Sequence, residues 1–363
     1  MATLYVTHNA PGGGDGSMGN PMTIDEAVAM ISVDGHEIRL GPGAYDRLAG
    51  LNVLNHLIIG CKSGWVIPTI DEPPPVAIEF SAPGVAAPLI TTTATANPRL
   101  RHVILGNNTG ANDLISMSTT DNLRMLRCVL RNIGRSAVVC RSGLQMIGCE
   151  VHDWGQSSAA AAINPGNSSA ASLIGNYIHD GTGGGVVAGA AGAHLAHNVI
   201  AGCSSYGILS NFASVAAQIH LNHNVLYDNE SGLSIGSTST QPIVSRGNLY
   251  LANSTYGVRY TGSGAPLFTS LGDAFWNNTS GEIQSPVQVE ELLARLTLSA
   301  DPLVDAAGGD FRVRAAAGLR RAGWPSTYLS AAAMTARWAW IAAGLPSHGP
   351  AAKGGRVFGG LGG

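Results

Sequence analysis

One position recurs every two dozen or so residues in this chain, and that recurrence limits what it can fold into more than anything else. Cys128 in LRCVLRN, Cys149 in GCEVHD, Asn176 in GNYIHD, Asn198 in HNVIAGC, Asn224 in HNVLYDN and Asn248 in GNLYLAN occupy it, at steps of 21, 27, 22, 26 and 24 residues. Asp273 in GDAFWNN adds one weaker step of 25. Each unit holds two or three short runs of Val, Ile and Leu punctuated by Gly, Asn and Ser, as in GGVV, YGILS, SGLSI and YGVRY, and such runs suit strands and not helices. A unit of this size cannot bury its apolar face alone, whereas stacked units enclose a continuous core. The repeat therefore predicts an all-β parallel solenoid over residues 35–285, one coil per unit. Asn side chains would bond from coil to coil at a turn, with Cys128 and Cys149 stacked in the same column as small residues and not as metal ligands.

Composition supports this and narrows the partners. Charged residues make up only 12% of the chain and Gly supplies 48 positions, which argues against a bundle of solvated helices. A net charge of -3 offers no general attraction to nucleic acid or anionic lipid. No apolar run approaches the roughly 20 residues needed to span a bilayer, and MATLYVTHNAPGGGDG lacks the basic start and apolar stretch of a secretory signal. The expectation is a chain made in a cytoplasm, with neither a membrane nor a nucleic acid as partner. Five cysteines, an odd number, argue against a disulfide framework.

The GN-x-I coils resemble the right-handed parallel β-helix proteins typified by pectate lyases and polymer-degrading relatives, as do the opening LYVTHNAPGGGDGSMGNPMTIDEAVAMI with IRLGPGAYD and the later DPLVDAAGGDFRV. The resemblance covers roughly residues 3–314. It implies an N-terminal cap segment, 1–34, whose short helix Thr23 and Glu26 would start as a capping box. The spacing of Val289, Leu292, Leu293 and Leu296 predicts a helix over 286–299 within the segment 286–314, and the resemblance implies a closing strand segment at 301–313. The last segment, 315–363, reads as a helix bearing Trp338 and Trp340 and then a Gly-rich arm, in which Arg356, Val357 and Phe358 could dock on a partner by strand addition or in a pocket. The family's fold carries lyases, hydrolases, epimerases, phage tailspikes and non-catalytic surface proteins, so fold alone does not assign an activity.

Placing the units in register gives, three residues after the anchor, Arg131, His152, His179, Ala201, Tyr227, Leu251 and Trp276. The next position reads Asn132, Asp153, Asp180, Gly202, Asp228, Ala252 and Asn277. Coils stack at about 4.8 Å, so Arg131, His152, Asp153, His179 and Asp180 would form one row fit for proton transfer on an acidic sugar. For a lyase the resemblance implies acidic calcium ligands, here Asp153 and Asp180, with Arg131 as base. Two carboxylates are few for an ion that takes six to eight oxygens, and the row decays to Ala201 and Leu251; polar residues at a solvated corner explain it as well. Strand geometry allows His194 to pair only with His220 and His197 only with His223, which reads as stacked polar pairs and no metal site.

The thin acid/base inventory, the missing leader and the docking-like tail point to a non-catalytic structural or adhesive protein of a large extracellular assembly. The expectation is a bacteriophage virion protein exposed on the capsid surface or tail, without cofactor, anchored by its C-terminal arm to other virion subunits. It would be a homo-oligomer, trimers being common among phage solenoids. The alternative is a polysaccharide lyase or glycoside hydrolase acting on an acidic polysaccharide, with Ca2+ as its cofactor if it is a lyase.

Overall fold

In the computed structural model the described residues are 3–314 and 319, less 31–35, 48–49, 53–55, 70–71, 73, 81–86, 93–96, 118–121, 167–169, 189–190, 212–217, 237–241, 263–266 and 285–287. The chain divides into a large unit, Met1–Pro68 with Pro74–Thr297, and a small one, Thr69–Pro73 with Leu298–Gly363.

The coil that begins at Ala171 shows how sequence becomes solenoid. Ala171–Ile174 alternates inward and outward side chains, Gly175 turns the backbone at a φ of +63°, and Asn176 leads into Tyr177–Gly181. A second left-handed corner at Asp180 (φ 58°) precedes the short strand Val186–Val187. Repeating this coil yields three parallel sheets among the described residues. The first has twelve strands, from Thr3–Val6 to Gln288–Leu293; the second has eleven, from Gly43–Arg47 to Leu296–Thr297; the third has ten, from Leu51–Asn52 to Gly281–Ile283. The register is the one the repeat predicts: the residues just after successive anchors, Val129, Glu150, Tyr177, Val199, Val225, Leu249 and Ala274, are neighbours across the second sheet.

Inward positions of that sheet stack in the same order. Leu130, Val151, Ile178, Ile200, Leu226, Tyr250 and Phe275 are each 0% exposed, and full burial of one such side chain stabilises by roughly 1.5–3 kcal/mol. The anchor column runs beside them at the turn. Asn198 Oδ1 accepts from the backbone N and the Nδ2 of Asn176, both at 2.9 Å, while Asn198 Nδ2 donates to Leu173 O and Asn224 Oδ1. Asn224 repeats the pattern with Asn248, and Asp273 ends it by accepting from Asn248. A second ladder, Asn229–Asn253–Asn278, lies five residues further along each coil. Both ladders satisfy backbone groups that burial would otherwise leave costly.

The ends differ from expectation in part. Helix Ile24–Met30 forms with its capping box, Glu26 N donating to Thr23 Oγ1 and Thr23 N to Glu26 Oε2. The first strand, Thr3–Val6, already pairs with Glu37–Leu40, so the sheets start before residue 35. The predicted helix over 286–299 is instead two strands, Gln288–Leu293 and Leu296–Thr297. The open edge of Leu267–Leu271 explains the change: it offers a parallel ladder of backbone partners that a lone surface helix would forgo. In the small unit, Leu303–Asp305 pairs antiparallel with Asp310–Val313. The C-terminal helix and arm, with Trp338, Trp340, Arg356, Val357 and Phe358, lie outside the described residues.

Candidate active site

The outward face of the second sheet holds all five residues singled out from the repeat. His152 and His179 are register partners, and Arg131 follows Leu130, the partner of Val151. Each Asp sits at the corner just after its His. Asn107, Asn132, Asp153, Asp180, Asp228, Ala252 and Asn277 all have φ between 52° and 58°, a conformation that Asn and Asp tolerate better than most residues. The bend turns each carboxylate back on its own neighbour: His152 Nδ1 lies 2.8 Å from Asp153 Oδ2, and His179 Nδ1 lies 2.7 Å from Asp180 Oδ2. The twin His-Asp pairs are thus architecture at the Asp and an organised polar cluster at the His.

His179 is the centre of that cluster. Its Nε2 faces Glu150 Oε1 at 3.2 Å, so both ring nitrogens meet carboxylates and both donate. Burial works against the imidazolium, yet the Asp180 and Glu150 carboxylates outweigh it and lift His179 above the ordinary histidine range. The same hydrogen bond from His179 holds Asp180 below the usual carboxylate range, while burial and the charge of Asp180 push Asp228 up. Tyr177 stacks on His179 with ring centroids 3.7 Å apart, and His152 stacks on its other neighbour side at 5.3 Å. Burial, with Asp180 and Glu150 nearby, keeps the Tyr177 hydroxyl protonated.

Arg131 is held from two coils away. Gly106 stands between Glu79 and Arg131 in the row, and with no side chain there Arg131 Nη2 reaches Glu79 Oε1 at 2.7 Å. A Cβ on Gly106 would lie 2.9 Å from Arg131 Cγ. Asn107 Nδ2 binds the other Glu79 oxygen at 2.6 Å, and Asn132 bonds Asn107. Glu79 was not legible as a site residue: it is 52 residues from Arg131, and the gap that joins them is a glycine.

Among the described residues no group of three or more His, Cys, Asp or Glu side chains could hold a metal. The calcium ligands implied for a lyase, Asp153 and Asp180, belong to no such group, and each turns an oxygen to its own histidine. His194 with His220 are register partners and His197 with His223 stack at 5.4 Å, the pairings expected. Burial, then the adjacent His223 and His194, push His197 down to about 4.

Residues 100–270 match a family model described as a right handed beta helix region. The solenoid has the fold of a right-handed parallel β-helix. Solved structures similar to this β-helix include a double mutant of the periplasmic alginate epimerase AlgG, at 14% identity over 72% of this chain and 73% of that one, with a TM-score of 0.50. Pectate lyase Pel9A is similar at 12% identity over 82% and 77%, TM-score 0.48. The GH136 lacto-N-biosidase from Eubacterium ramulus is similar at 9% over 82% and 68%, TM-score 0.42. No curated protein sequence matches the chain. The neighbour at a TM-score of 0.50 is an alginate epimerase, which overturns the expected non-catalytic virion protein; none of these neighbours points to a capsid or a tail. The acid/base inventory looked thin in sequence because Glu79, 52 residues from Arg131, joins it only through folding.

Proposed function

We propose that this β-helix is a lyase of acidic polysaccharides, with its chemistry on the outward row of the second sheet. The observation that carries the reading is the pair of stacked imidazoles in unlike surroundings, His179 between two carboxylates and His152 against one. His152 gives its Nδ1–H to Asp153, which leaves the lone pair of Nε2 for a substrate proton. His179, flanked by Glu150 and Asp180, stays an imidazolium beside it. In β-elimination, His152 Nε2 would take the proton on the carbon next to the uronate carboxylate; a carbon–carbon double bond forms as the glycosidic C–O bond breaks, and the leaving oxygen takes that proton back from His152, which restores the base. The fixed positive charge of His179 would oppose the charge that develops on the uronate carboxylate. Arg131, engaged by Glu79, adds a second fixed cation in the same row and is not the base. The likeness in fold to an alginate epimerase and a pectate lyase supports an acidic polymer as substrate.

The test is incubation with a panel of uronate-containing polysaccharides, following unsaturated sugar ends by ultraviolet absorbance. Unsaturated products that disappear in His152→Ala are expected. New reducing ends without unsaturation, or no product from any uronate polymer, would overturn the lyase reading.

A further inference from the structure

The outward face of the first sheet carries a second feature, away from the acid/base row. An open groove of about 620 Å³ crosses at least five coils there. Five of its polar side chains form one row in strict register: Arg124 beside Gln145, Gln145 beside Ser172, Ser172 beside His194, and His194 beside His220. Successive members are therefore about one strand spacing, ~4.8 Å, apart along the solenoid axis. Small residues in the neighbouring outward row, Gly143, Ala170 and Gly192, keep the floor low.

One rim is built by a close approach. Asn122 Nδ2 donates to Asn97 Oδ1 at 2.8 Å, and the Asn122 side chain lies over Gly143, where a Cβ would come within 2.1 Å of its Oδ1. None of the lining residues is acidic, although Asp and Glu outnumber Lys and Arg in the chain, 23 to 20. Arg99, exposed like Arg124 and its register partner, extends the positive end of the row by one more coil.

We infer that this groove binds a strand of carboxylated glycan, laid along the solenoid axis with its charge toward Arg124 and its hydroxyls on Gln145, Ser172, His194 and His220. A long shallow groove with evenly spaced donors and no carboxylate suits a linear anionic polymer better than a compact ligand. The site is separate from the lyase reading and does not depend on it: a chain without turnover would still hold polymer here.

The experiment is calorimetric titration of the full chain with short oligouronates, in a His152→Ala background so that turnover cannot consume the ligand. Arg124→Glu should weaken binding about tenfold or more by setting a carboxylate against the glycan. Ser172→Trp, which fills the groove without touching its charge, should weaken it as well. Unfolding midpoints check that both variants remain folded. Equal affinity in parent and folded variants, or equal binding of a neutral glucan of the same length, would overturn the inference. Absence of unsaturated products from the unaltered chain, with oligouronate binding intact, would count against the second-sheet chemistry alone and leave the groove standing.

Discussion

The same outward row of the second sheet leads two lives. From Glu79 to His179 it carries Arg131, His152 and a carboxylate network; from Val199 onward the equivalent positions hold Val199, Ala201, Val225, Leu249, Leu251 and Ala274, all 6% exposed or less, with Tyr227 and Trp276 half-buried among them. Backbone geometry does not change between the two: corner residues keep a positive φ from Asn107 to Asn277, and strand register is unbroken. The difference teaches that the coil fixes where a side chain points and leaves open what it does there. An outward position can serve acid/base chemistry in one coil and packing in the next.

That contrast can be broken by exchanging characters between the two stretches. The largest effect is expected from Leu251→Asp, which puts a carboxylate at a fully buried position; chemical denaturation should show about 4 kcal/mol of lost stability. Asn224→Ala removes a side chain that both stretches rely on. It strands the backbone N–H of Asn198 and the carbonyl of Leu195, and about 3 kcal/mol should be lost by the same measurement.

His152→Leu makes the polar stretch resemble the apolar one. Unfolding should shift by no more than about 1 kcal/mol, while turnover on uronate polymer falls about a hundredfold. A pH series gives the smallest and most specific effect. The pKa of His179 is raised on folding, so its stabilisation is complete below the ordinary histidine value of 6.5 and is lost as pH rises through the higher folded value. The gap in unfolding midpoint between the parent and His179→Gln should therefore narrow as pH climbs from ~6 to ~9. A gap that widened would show that the two carboxylates do not hold the imidazolium.

Much of this could be read in the sequence because solenoid contacts are local in repeat number. A coil's anchor meets the anchors before and after it, so aligning Cys128 through Asp273 was enough to place His152 against His179 and His194 against His220. The second ladder was equally available, in the Asn of YDNE, LANS and WNNT, but those residues fall among other turn-forming side chains and do not stand out. Contacts that skip a coil were not legible: Glu79 reaches Arg131 only because Gly106 is empty between them. Nor was the strand at Gln288–Leu293, whose leucine spacing suits a helix until a sheet edge is present to compete for its backbone.

The anchor ladder also has a direction. Every side-chain amide from Asn176 to Asn248 turns its oxygen toward the preceding coil and its NH2 toward the following one. Their dipoles add along the solenoid axis with the positive end toward the C-terminus, and there the row meets Asp273, whose Oδ1 accepts from Asn248 and whose Oδ2 accepts from Ser270 at 2.7 Å. An acid at that point does for a column of side chains what an acidic residue does at the start of an α-helix. A version of the protein shortened by one coil, ending its column at Asn248, would have to move that terminating carboxyl as well as the strands.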